Sequence, residues 1–296
     1  MIFLHVDVDN LWVYEEEFGI RILPDKEYIY KKSLPFLLQL LNKTNSKATF
    51  MVIGKDLKLK ACRSFCKKAV SEGHEIANHT WSHPIYFAKL SQKEKEKEII
   101  KAHIEISKVC QQKPVGFRGP GYYEDREIIS ILKKLDYKYD SSVLPGFAQG
   151  LMSSYALLKN KENKRKTFGK AGYLLSPEKK HFVKGVHFKE KLVELPISVL
   201  PFVRFPIHTT FAYYFGSFYR KLILNYLKSG PNYMLYLFHA IDFMDLPKKN
   251  KNYPLIPLRY SLKERLAFIE GILEVLVEKN GGSLKTSKEV FTSNHR

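Results

Sequence analysis

The chain has 296 residues, of which 45% are hydrophobic, enough for a large core, and its three cysteines are too few and too odd in number for a disulfide framework. No run of about 18 apolar residues occurs, which argues against a transmembrane helix, and no basic segment precedes the first apolar run, so no export signal is read. Lysine and arginine total 49 against 30 acidic residues, a net charge of +19 that points to an anionic partner.

In chain order, residues 2–6, 48–53, 74–77, 115–117, 192–195 and 234–238 are short apolar runs that predict strands. Residues 28–42, 57–72, 91–111, 125–135 and 261–279 carry apolar side chains three and four apart and predict helices, as does 218–227. Strands alternating with helices predict one α/β domain, 1–296, on a mainly parallel sheet, open or closed into a barrel. Two stretches depart from that rhythm. Residues 145–191 read as a basic insertion rich in Lys, Gly and Ser, and residues 200–219 are crowded with Phe and Tyr. The basic runs at 159–170, 179–191 and 248–251 are read as solvated loops or as contacts to an anion, and they lack a nucleic-acid reader motif.

In such folds chemistry collects where strands end. Asp7 and Asp9 end the first strand, His79 and His83 follow the third, Arg118 follows 115–117, Asp140 follows 137–139, and His239 follows 234–238. Asp7 and Asp9, one residue apart, share a strand face, so one carboxylate can bind a metal while the other takes a proton from water; the plainer reading is a turn cap. Pro84 disfavours a helix at His83, so the two imidazoles are expected on a loop with a tight turn. Neutral imidazole suits zinc and its neighbours. Arg118 opens the irregular loop Gly119-Pro120-Gly121-Tyr122, whose N–H groups can face an oxyanion. His239 is either a core histidine or a proton donor, with Asp140 as its candidate partner. His74 and His103 are expected to be structural.

Taken in order, Asp7-Val8-Asp9, His79 to His83, Arg118-Gly119-Pro120-Gly121, Asp140-Ser141-Ser142 and Leu237-Phe238-His239 resemble the five motifs of the polysaccharide deacetylase family, also called carbohydrate esterase family four, with its NodB-homology domain. The resemblance spans residues 1 to about 285. It implies a distorted (β/α) barrel of about seven strands. It also implies Asp7 as catalytic base paired with Arg118, a divalent metal, Zn2+ above others, on Asp9, His79 and His83, and His239 as acid supported by Asp140. Gly121, beside Tyr122, would stabilise the oxyanion. Two features depart from the commonest members. The aspartates are not adjacent, and no tryptophan follows Asp140. Asp-Val-Asp-Asn instead is similar to an intracellular branch that acts on amino sugars carried by a polyprenyl phosphate or related glycolipid.

A lipid phosphate would suit the basic charge, each nearby Lys or Arg adding on the order of 1 kcal/mol at an anionic membrane surface. The segment 202–219 would either dip into that interface or pack as core. The leading expectation is therefore a cytoplasmic, peripherally membrane-bound N-deacetylase of a lipid-linked amino sugar. A hydrolase of soluble or polymeric substrate such as peptidoglycan, and a noncatalytic basic membrane-binding protein, are the alternatives. No nucleic acid is expected.

Overall fold

The computed structural model describes residues 1–23, 25–146, 177, 181–182 and 192–292. Apart from 145–146, 177 and 181–182, the basic insertion expected at 145–191 lies outside the described residues. In order the elements are β1 (Ile2–Val8), α1 (Leu11–Phe18), a π-helical turn (Ile29–Ser33) running into α2 (Leu34–Lys43), β2 (Thr49–Val52), α3 (Lys60–Ser71), β3 (Glu75–Asn78), α4 (Gln92–Cys110), β4 (Gly116–Phe117), α5 (Arg126–Lys134) and β5 (Tyr139–Asp140). Then come β6 (His181–Phe182), β7 (Val193–Glu194), α6 (Thr209–Tyr214), α7 (Gly216–Lys228), β8 (Met234–His239), α8 (Leu262–Lys279) and α9 (Ser287–Thr292).

The strands are hydrogen-bonded in the order β6-β7-β5-β4-β3-β2-β1-β8. The pairs β1 with β8, β3 with β4, β4 with β5 and β5 with β7 are parallel, and the short edge strand β6 runs antiparallel to β7. The alternation of strands and helices predicts this mainly parallel α/β sheet, and its class is the distorted (β/α) barrel that the family resemblance implies.

By density of contacts the chain divides into two compact units. The first comprises Met1–Phe50, Asp56–Glu75 and Ile207–Ser287. Here β1 and β8 pair from Ile2 with Met234 through Asp7 with His239. All seven residues of β1 are buried, which is why it reads as one apolar run instead of an alternation. His5, in the middle of the strand, hydrogen-bonds Ser287 at 2.8 Å. The helix α8 starts at a capping box, Ser261 and Glu264, and buries Phe268, Ile269, Ile272, Leu273 and Leu276 along one stripe.

The second unit comprises Met51–Lys55, Ile76–Pro206 and Lys288–Arg296. Phe87, Ile99, Phe117, Ile128 and Leu132 pack α4, α5 and β4 into one apolar cluster. Lys95 of α4 reaches Asp125 at 2.6 Å and Glu127 at 2.7 Å, so a buried ammonium meets the N-cap of α5 and its first turn. The cysteines Cys62, Cys66 and Cys110 are all free and buried.

His74, expected to be structural, accepts the Ala48 N–H through Nδ1 at 3.1 Å, which requires that nitrogen to be unprotonated. Burial lowers its pKa to about 4. The folded state thus binds this proton more weakly than the unfolded chain, so stability is lost as pH falls from about 6.5 towards 4. We predict that His74→Asn flattens this loss, by up to about 1.4 kcal/mol per pH unit across the window. Denaturant titrations of both proteins at a series of pH values measure it, and parallel curves would remove His74 as the cause.

Candidate metal and catalytic site

The C-terminal end of β1 carries two buried carboxylates, Asp7 and Asp9. The turn cap is neither of them. Asn10 takes that role, accepting the Leu11 N–H at 2.7 Å to start α1 and leaving both aspartates for other work. The Tyr14 hydroxyl lies 3.5 Å from Asp9 Oδ2, and burial together with the charge of Asp9 pushes its pKa well up, so it stays a proton donor. On the neighbouring strand His239 stands opposite Asp7 in register, with Nε2 3.9 Å from Asp7 Oδ2.

The chain after His239 turns at once into a helical turn, Ala240–Phe243, and Asp242 folds back so that its Oδ2 accepts the His239 N–H at 2.9 Å. Asp242 is fully buried. Burial raises its pKa, while His239 and Arg265 pull it down. Arg265, also fully buried, donates to the carbonyl oxygens of Ile241 (3.1 Å), Asp242 (2.7 Å) and Met244 and so holds the turn. The short spacing from His239 to Asp242 is the signal that reading the chain for strand ends overlooks.

The C-terminal end of β3 carries the histidines. As expected from Pro84 they lie on a loop with a tight turn, and both Thr80 (φ 63°) and His83 (φ 46°) take left-handed backbone. Asn78 Oδ1 accepts the Thr80 N–H at 2.8 Å, and Thr80 Oγ1 accepts the His83 N–H at 3.2 Å. From α4, Glu98 accepts both the N–H and the hydroxyl of Ser82, at 2.8 and 2.9 Å. The His79 and His83 rings sit edge to face with centroids 4.8 Å apart. Since His79 Nδ1 lies 2.8 Å from the Arg118 carbonyl oxygen, Nδ1 carries the proton and Nε2 keeps its lone pair for a cation.

Arg118 is fully buried and donates to the Ser141 carbonyl and hydroxyl at 2.8 and 2.7 Å. Asp140 Oδ1 accepts the Ser141 N–H (2.8 Å) and the Ser142 hydroxyl (2.5 Å), while Ser142 Oγ accepts the Gly119 N–H (2.8 Å). The Asp-Ser-Ser motif therefore ties down the Arg118 loop. A Cβ on Gly119 would meet the Tyr123 carbonyl oxygen at 2.1 Å, so only glycine fits there. Gly121 (φ 65°) and Tyr122 (φ 57°) then turn the loop sharply. Burial, with Glu124 nearby, raises the Asp140 pKa to about 8, and burial raises that of Glu194 as well. Glu194 accepts the Val143 N–H at 3.0 Å, a role that no local pattern announces.

Asp9 after β1 offers a carboxylate, and His79 and His83 offer two imidazoles on one turn, the donor types that would hold a metal ion. One carboxylate oxygen and two neutral imidazoles fit a first-row divalent ion, and the hydrogen bond from His79 to the Arg118 carbonyl is the outer support such a ligand needs.

Residues 25–139 match the family described as polysaccharide deacetylase. Two curated proteins from Bacillus cereus, each called peptidoglycan-N-acetylglucosamine deacetylase, are 30% identical over 115 residues and 33% identical over 97. These alignments take in 39% and 33% of this chain, and 50% and 32% of the relatives, so the chain spans half or less of either relative's length. Among solved structures, a polysaccharide deacetylase described as putative, from Mycobacterium smegmatis, aligns with 99% of this chain and 88% of its own at a TM-score of 0.61 and 16% identity. A CE4 family pseudoenzyme from Bacillus anthracis aligns with 98% of this chain and 65% of its own at 0.52 and 14%. At such identities these two establish the fold. The resemblance to the polysaccharide deacetylase family stands on the match of residues 25–139 and on this shared fold.

Glu98 gives a direct check on the histidine turn. We predict that Glu98→Ala weakens Zn2+ binding about tenfold, because the turn bearing His83 loses its clasp to α4 while His79 keeps its own support. Calorimetric titration measures it, and unchanged affinity would show that the turn holds itself.

Proposed function

We propose that this protein is a metal-dependent N-deacetylase that hydrolyses the acyl amide, acetyl or formyl, of an amino sugar carried on an anionic lipid, working at the cytoplasmic membrane face. The observation that carries the reading is, on the β1 and β8 register, a carboxylate beside an imidazole, with a pair of imidazoles on the histidine turn as candidate metal ligands. Acid, base and metal are what amide hydrolysis requires.

Asp9, His79 and His83 would hold the ion, for which Zn2+ is the best fit. It supplies Lewis acidity and lowers the pKa of water. Asp7 accepts the proton of the attacking water. As the new C–O bond forms, the Gly121 N–H faces the developing oxyanion, the Tyr122 N–H being held by the Gly119 carbonyl (3.2 Å), and Arg118 fixes that loop. His239 then protonates the nitrogen as the C–N bond breaks, releasing a carboxylate and a free amine. Asp242 fixes the backbone of His239. Asp140, the candidate partner of the acid, is assigned here to the Arg118 loop through Ser141 and Ser142.

Two other readings have support. The curated relatives are named for peptidoglycan, which favours a polymer substrate. The likeness to a pseudoenzyme favours a binding protein, against which the full set of ligands, base and acid argues. A panel of N-acylated amino sugars, free, polymeric and polyprenyl-phosphate linked, followed by mass spectrometry for amine release, separates the three. Release from the lipid-linked member supports the proposal, release from the polymer alone overturns its substrate, and no release by zinc-loaded protein overturns the activity.

Within this scheme His79→Ala is expected to lose Zn2+ affinity by at least about 100-fold, and turnover with it. Asp7→Asn should retain zinc but lose about 100- to 10,000-fold in kcat, the usual worth of a general base. Metal content and single-turnover rates measure both, and an active Asp7→Asn enzyme would refute the base.

A further inference from the structure

The helix pair α6 and α7 presents two apolar stripes where a surface helix ordinarily has one. Tyr219, Ile223 and Leu227 repeat every four residues and are buried. Phe215, Phe218 and Leu222 repeat at three and four residues on another face, and they are 43%, 73% and 38% exposed, with Tyr214 beside them at 57%. The rings are organised: Phe215 stacks on Phe211 with centroids 6.1 Å apart and meets Tyr214 edge-on at 5.1 Å.

The charge along this segment of sequence has one sign. Between Glu194 and Asp242 the sequence contains no acidic residue, while Arg204, Arg220, Lys221 and Lys228 are all cationic. Three of those cations lie on α7 itself, and Lys221 adjoins Leu222 on the exposed side. Arg220 is turned back over the rings of Tyr260 and Phe268, at 5.4 and 6.0 Å, leaving Lys221 and Lys228 as the outward charges.

We propose that the exposed stripe of α6 and α7 is a docking surface for an anionic lipid bilayer. Aromatic and leucine side chains enter the boundary between headgroups and acyl chains while Lys221 and Lys228 meet lipid phosphates, the mode of a helix lying in the interface plane. No helix of the described residues is long and apolar enough to cross a membrane, so contact through this element is lateral. A second copy of the chain fits less well. A two-fold pairing of this patch would set the cations of α7 against their own copies, and the helix itself carries no carboxylate to offset them. The inference gives the lipid-linked substrate of the proposed function a place of encounter, yet it is read from binding alone and so fails or succeeds separately from the chemistry.

The test is co-sedimentation of the full chain with vesicles of phosphatidylglycerol and, separately, of phosphatidylcholine, at low and high salt, with sedimentation velocity of the protein alone. The expected result is binding to phosphatidylglycerol that weakens with salt, and little to phosphatidylcholine. Phe218→Ser with Leu222→Ser should lower the bound fraction by at least about tenfold while the thermal midpoint stays near that of the parent, since both side chains are exposed. Lys221→Glu, which leaves the apolar stripe intact, should lower it about tenfold at low salt and little at high salt, and it carries the test should the double variant misfold. Wild type that ignores phosphatidylglycerol, or variants that bind like wild type, overturn the proposal. So does a dimer in the absence of lipid that the double variant dissolves, since the occupant would then be a second copy.

Discussion

Asn78 is the residue on which the histidine turn depends. A chain that must bring two imidazoles four residues apart to one ion, with proline directly after the second, is denied a helix there. It folds instead through left-handed backbone at Thr80 and His83, each costing on the order of 1–3 kcal/mol for a residue with a side chain. Asn78 Oδ1 takes the Thr80 N–H and begins the turn, while its Nδ2 donates to the Ile99 carbonyl of α4 (3.0 Å) and to the Tyr137 hydroxyl (2.8 Å). Tyr137 in turn lies 3.1 Å from His103 Nδ1. A mid-helix histidine far from any chemistry thus steadies the residue that steadies the turn. The ligands inherit their geometry from a buried polar network.

Buried charge in each unit follows a common rule. Arg118 and Arg265 are both fully buried, and each directs its guanidinium at main-chain oxygens. A cation in that setting is costly unless its donors are met, and carbonyls at strand ends and in tight turns are acceptors that regular structure leaves over. The arginine therefore fixes backbone: Arg118 holds the strand end at Ser141, and Arg265 holds the turn carrying Asp242. Burial raises the pKa of Asp140 to about 8 and that of Glu194 as well, so the second unit resists confining two ionised carboxylates beside Arg118. Ionising them at high pH would lose that economy. Packing alone would not fix a loop to the tolerance that chemistry needs, whereas forked donors on carbonyl oxygens do.

The pattern of what the sequence discloses follows the range of the interactions. Strands such as β1 and β8 and helices such as α4 and α8 are written in local periodicity, and polar residues at the strand ends stand out because the runs before them are apolar. The helix α1 escapes that reading: its residues 11–18 place three glutamates after an apolar start, and only the Asn10 cap marks its beginning. The two-residue strands β4 and β7 lie within the apolar runs 115–117 and 192–195, but their partners and register, like those of β5, come from pairing with neighbours, which no window along the chain records. Glu98 and Arg265 are unremarkable letters on helical faces. They matter through contacts about 16 and 23 residues distant in sequence, and a single sequence contains no trace of that closure.

Net charge alone does not choose among anionic partners, because +19 spread along a chain serves a polymer, a lipid or a crowded solution equally. The α7 surface adds a second condition. Exposed aromatic rings cost solubility, and a helix surface that keeps Phe218 nearly three-quarters exposed amid cations suits a medium that is apolar within and anionic at its edge. A soluble glycan strand offers hydroxyls and amides and no acyl layer for a phenylalanine to enter. Bilayers offer both. On the proposed reading, a substrate whose anchor is itself a lipid phosphate would bring its amide to a protein docked at the same surface, exchanging a search through solution for one in a plane and raising the effective concentration without any new contact to the sugar.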